Sequence, residues 1–60
     1  MIDILLEESW GEYGILNVIE IRSGQKIFIE SFSPIDYEKA FKYVTNRYDF
    51  ARILCGNAIK

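Results

Sequence analysis

Chemistry in this 60-residue chain must come from nine carboxylates, seven cationic groups and one thiol, because it contains no histidine. Without imidazole there is no Ser–His or Cys–His nucleophile pair and no acid/base side chain that titrates unperturbed near neutral pH, which removes most hydrolases. Carboxylate pairs such as Glu7 with Glu8, or Asp36 with Glu38, are the remaining acid/base candidates. Adjacent residues on a strand point to opposite faces, so Glu7 and Glu8 do not converge on one substrate. Cys55 sits in an apolar setting with Arg52 as its only near cation, which suits a small core residue better than an activated thiol. The four glycines are scattered and form no phosphate-cradling loop. One cysteine and no histidine also argue against a structural zinc and an internal disulfide. These residues point to a protein that is not an enzyme and takes no metal or cofactor.

Recognition chemistry is better represented. Trp10, Glu12 and Tyr13, with Glu7 and Glu8 nearby, gather at the Gly11-Glu12-Tyr13-Gly14 turn. Aromatic anchors with a charged rim dominate interface energetics, so this acidic turn is the first candidate for partner binding. A second candidate is basic: Lys39, Lys42, Asn46 and Lys60, with Arg52, would line the outer side of a C-terminal helix, where a row of cations can follow a phosphate backbone. An isoelectric point near 4.9 weighs against nucleic acid as the partner. Residues 1–30 carry six acidic and two basic groups and residues 31–60 carry three acidic and five basic ones, a mild polarity that identifies no partner.

The elements that would position these residues are legible as patterns. Ile2, Ile4 and Leu6 alternate with Asp3, Leu5 and Glu7, which predicts a strand over about 2–8. Further strands are expected over 15–22 and 26–32, joined by Ser23-Gly24-Gln25. A three-residue loop there pairs Ile21 with Ile27 and Ile19 with Ile29. That register groups Leu16, Val18, Glu20, Phe28, Glu30 and Phe32 on the opposite face, which a single helix would leave open. The apolar members of that face, Val18 and Phe28 foremost, are the second part of the predicted partner site.

A long amphipathic helix is expected over about 34–55. Ser33 would cap it, Pro34 would take the first helical position and Asp36 would face the positive end of the dipole. Tyr37, Ala40, Phe41, Val44, Tyr48, Ala51 and Cys55 recur at steps of three or four. Two other readings stay open: Asp49 could cap a separate short helix, or Phe50 to Cys55 could form a strand. Gly56-Asn57 is the expected stop. A helix of this length would overhang the sheet, so a homodimer is expected to use the C-terminal helix, with Phe50, Ile53, Leu54 and Ile59 as candidate contacts, the open sheet face, or both.

The expected architecture is thus α+β, one domain over 1–60, with an antiparallel three-stranded meander packed on a long C-terminal helix. A chain this short buries only about 60% of its unfolded surface, so a homodimer is the expected source of extra stability. No apolar run approaches the ~20 residues of a membrane span. Met1-Ile2-Asp3 lacks the basic flank of a signal peptide, and a single free thiol fits a cytoplasmic setting. In size and element order the pattern resembles the small inhibitors and antitoxins that phages encode, such as anti-CRISPR proteins and uracil-DNA glycosylase inhibitors. That resemblance implies a non-enzymatic inhibitor of a larger protein; a nucleic-acid-binding module using Lys39, Lys42 and Arg52 is the alternative.

Overall fold

The computed structural model describes residues 2–58, so Ile59 and Lys60, counted above among the apolar and basic candidates, lie outside it. It is α+β, with the order β1 (Ile2–Trp10), β2 (Gly14–Arg22), β3 (Gln25–Phe32), α1 (Tyr37–Arg47) and β4 (Ala51–Ala58). The sheet is mixed and four-stranded, in the order β3-β2-β1-β4. The antiparallel meander of the first three strands is as expected, whereas the long helix is not. Among the described residues no helix is long and apolar enough to cross a membrane.

The helix is 11 residues, roughly 16 Å, and does not overhang strands of eight or nine residues. Its N-cap is Asp36, whose carboxylate accepts the Lys39 N–H at 3.1 Å, and not Ser33. Asp caps as well as Ser does, and Ser33 is engaged elsewhere, donating its hydroxyl to the Gly14 carbonyl at 3.3 Å. At the other end Tyr48 is extended, its N–H still bonded to the Val44 carbonyl at 2.9 Å. The weak helix formers Thr45 and Asn46 mark the final turn. Beyond it, Ala51 and Cys55 fit a period of two as well as a period of 3.6, Ile53 fits only the former, and pairing with β1 decides for the strand. β4 runs parallel to β1, with Ile4 opposite Ile53 and Leu5 opposite Leu54. The segment β3-α1-β4 is therefore a crossover that carries the helix over one sheet face.

The β2–β3 hairpin turns through two residues, not three. Ser23 (φ 52°) and Gly24 (φ 78°) both take the left-handed region, as the tight hairpin turn requires, and Arg22 pairs with Gln25. The predicted pairs are accordingly off by one near the turn: Ile21 faces Lys26 and Ile19 faces Phe28. A bulge on β3 at Ile29 then adds a residue, so Val18 faces Glu30 and Leu16 faces Phe32. The bulge has a clear effect on packing. Without it Phe32 would fall on the outer face; with it Phe32 reaches the helix side and meets the Tyr43 ring edge-on at 6.0 Å.

The helix covers the face opposite to the expected one. Ile4, Leu6, Leu16 and Val18 are fully buried against Ala40 and Val44, with Ile2, Ile29, Phe32, Ile53 and Tyr48 closing the rim. Cross-strand pairing puts Leu6 beside Val18, so Ile4, Leu6, Leu16 and Val18 share one face and the helix lies on it. A domain of 60 residues holds about 3–9 kcal/mol of stability in total, and truncating a fully buried leucine costs about 2–5 kcal/mol. In urea titrations Leu6→Ala is expected to show a large unfolded fraction already at zero urea, whereas Phe50→Ala, at a residue 80% exposed, changes the unfolding free energy by less than about 0.5 kcal/mol.

Candidate functional site

The β1–β2 end is a cluster of aromatics held by one carboxylate. Trp10 closes β1 opposite Gly14, and its indole N–H donates to Glu8 Oε1 at 2.9 Å. The other oxygen of Glu8 accepts the Tyr37 hydroxyl from the first turn of α1. A Cβ on Gly14 would stand 2.8 Å from the Trp10 ring and 3.1 Å from Ile35 Cδ1, so the absence of a side chain there lets the indole lie over the backbone. Trp10 remains 59% exposed and Tyr13 73%, with Glu12 exposed between them. The three residues expected at this edge are therefore brought together, and Trp10 is fixed through Glu8 to the helix.

The other predicted contacts do not form one surface. Val18 is fully buried under the helix and cannot touch a partner. Phe28, 62% exposed, projects from the opposite face, because its pair Ile19 alternates with Val18 along β2. The proposed dimer contact also divides. Phe50 projects from the loop after the helix, Ile53 packs into the core, and Leu54 lies exposed on the uncovered face. Phe50, Val44, Tyr48, Ala51 and Ile53 line an open groove of about 220 Å³ at the helix C-terminus. Lys39 and Lys42 are exposed on the helix, but Arg52 is on the far side of the sheet, where Nε and a terminal guanidinium nitrogen grip Asp3 at 3.1 and 3.0 Å. Those three cations form no single row, because the segment holding Arg52 is a strand. Cys55 is free and exposed instead of lying in the core, since the short helix does not reach the β4 edge.

One group escaped the sequence reading. Glu20, 4% exposed, sits on the helix side of β2 with both oxygens occupied: Arg22 donates to Oε2 at 2.6 and 3.0 Å, and the Tyr48 hydroxyl donates to Oε1 at 3.0 Å. Arg47 stacks near the Tyr43 and Tyr48 rings at 5.9 and 5.7 Å. Both ends of the helix are thus tied to the sheet by a tyrosine hydroxyl on a glutamate, Tyr37 to Glu8 and Tyr48 to Glu20. A lone glutamate among alternating apolar residues of β2 was the available signal. Among the described residues no three of His, Cys, Asp or Glu converge as a metal site requires.

Comparison of the chain with protein-family models, with curated proteins and with solved structures finds no match.

The two clamps respond to pH in a definite direction. The Tyr37 hydrogen bond, then that of Trp10, hold the Glu8 carboxyl below its ordinary 4.5, and Arg22 does the same for Glu20. A lowered folded value means the contribution is complete above about pH 4.5 and disappears as acid protonates the carboxylate. The Tyr37 phenol is pushed up to about 12 by its bond to Glu8, so its contribution holds below pH 10 and fades as pH rises through 12. Wild type and Tyr37→Phe should therefore differ in thermal midpoint at pH 7, and the difference should shrink as the pH falls below 4.5 and acid protonates Glu8. In an alkaline absorbance titration at pH 9–12, Glu8→Gln should bring one late-ionising tyrosine back toward 10.

Proposed function

We propose that this chain is a non-enzymatic interaction module that inhibits or modulates a larger protein by covering a functional surface, with the Trp10–Glu12–Tyr13 edge as its partner-binding site. The single observation that carries the reading is the held, exposed indole: Trp10 is more than half exposed and yet fixed by Glu8 and stacked over Gly14. Ordering a rotamer-rich side chain at an interface costs about 0.5–1.5 kcal/mol, and a ring already held in place avoids most of that loss. Exposed Tyr13 and the Glu12 carboxylate complete an aromatic anchor with an acidic rim, which suits a partner surface carrying an apolar pocket beside lysine or arginine.

The wider reading is a homodimer in the cytoplasm, where an exposed thiol such as Cys55 stays reduced. It belongs with the phage-type inhibitors in manner of action, occupying a partner's surface without chemistry. No observation favours nucleic acid, since Lys39 and Lys42 lack Arg52 as a neighbour.

Capture of partners from host lysate by the tagged chain, identified by mass spectrometry, is the direct test. Trp10→Ala with Tyr13→Ala should abolish the specific capture while the circular dichroism spectrum is unchanged. Gly14→Ala, which displaces the indole but keeps it, should weaken binding by roughly tenfold, the scale of about 1.4 kcal/mol. Full capture by the double variant would refute the assignment of this edge.

A further inference from the structure

The uncovered sheet face holds an apolar belt that runs straight across all four strands. Phe28 on β3 faces Ile19 on β2, Ile19 faces Leu5 on β1, and Leu5 faces Leu54 on β4. Directly paired residues project to the same side, so these four form one continuous row. Ile21 lies next to it on β2 and Ile15 further along. Ile19 is almost fully buried by its own neighbours although no element among the described residues covers this face, while Phe28 and Leu54 stay exposed.

We infer that this face is the contact between two copies of the chain, packed sheet against sheet through the Phe28–Ile19–Leu5–Leu54 belt. Charge is the first reason. Among the described residues the charged groups on the face are Lys26 and Arg52 against Asp3 and Glu7, which sum to zero, and Arg52 is already paired with Asp3. A face placed against itself repels if it carries net charge; this one does not, and it offers no field that would select a charged partner. Geometry is the second. An in-plane two-fold axis through the belt, whether along the strands or across them, lays belt on belt, as a self-complementary interface demands. Area is the third. At about 3.3 Å per residue and about 4.8 Å between strands the face measures roughly 500 Å². Two such faces remove about 1,000 Å² from water, the size at which a specific interface begins.

The inference extends the homodimer reading and is independent of the Trp10 edge. Trp10→Ala leaves the dimer intact, and failure of partner capture says nothing against the belt. The experiment is sedimentation equilibrium from roughly 5 to 200 μM. Wild type is expected to approach twice the 7.0 kDa of one chain, Phe28→Asp to stay at one chain with an unchanged circular dichroism spectrum, and Phe50→Asp to dimerise as wild type does. A wild type that keeps single-chain mass throughout overturns the proposal, as does a dimer lost in Phe50→Asp but retained in Phe28→Asp. Should Phe28→Asp unfold, amide shifts of the wild type on dilution decide. Changes centred on Leu5, Ile19, Phe28 and Leu54 support the belt; changes confined to the helix or to Trp10 overturn it.

Discussion

The pairing of β4 alongside β1 is the constraint on which the rest of the structure depends. β1 would otherwise be an edge strand, with one row of backbone N–H and C=O groups unpaired. Because β4 runs parallel to it, the chain cannot return through a hairpin and must cross over the sheet, and α1 is that crossover. One crossover supplies one covering layer. The choice of face follows from side-chain parity: Ile4, Leu6, Leu16 and Val18 lie beside one another on the side the helix takes, and Leu5, Ile19 and Phe28 are left on the other.

A helix of 11 residues has too little apolar area to fix its own position on a four-stranded sheet, and only Ala40 and Val44 are fully buried from it. The polar clamps at its ends supply the orientation. Tyr37 and Tyr48 each bury an aromatic body at the rim of the core and donate a hydroxyl to a glutamate on the sheet, so no buried side-chain polar atom among the described residues lacks a partner. The first clamp has a functional side as well. Glu8 holds Tyr37 with one oxygen and Trp10 with the other, so the rigidity of the helix–sheet contact passes directly to the exposed indole.

The sequence carried the meander, the Gly11–Gly14 turn and the start of the helix to within three residues. Those features rest on local signals: alternation, paired glycines, and a carboxylate ahead of an apolar period. What was hidden depended on distant pairing. Ala51 and Cys55 satisfy both periodicities over so short a run, and the off-stripe Ile53 and Leu54 were the sign that the helical one had ended. With β4 read as helix, Arg52 joins the lysines of α1 and Leu54 joins Phe50; Val18 falls on the open face for a separate reason, because the hairpin isoleucines read as the covered set. The expectation that one sheet face would remain apolar holds with Phe28 and Leu5 on it, but Leu16 and Val18 lie under the helix and Ile19 and Ile21 take their place. The hairpin register shows the same sensitivity, since the two-residue turn and the Ile29 bulge each shift it by one and cancel from Val18 onward, where Val18–Glu30 and Leu16–Phe32 are the pairs the expected register gives.

Nuclear Overhauser contacts in the segment after the helix test the central claim most directly. If β4 pairs with β1, strong sequential Hα–HN contacts run through residues 51–56 and long-range contacts join Leu54 to Leu5 and Ile53 to Ile4. Contacts between residues three apart continuing from Val44 through Cys55, with none to β1, would contradict it; the crossover, the choice of covered face and the exposed belt would then all fall together.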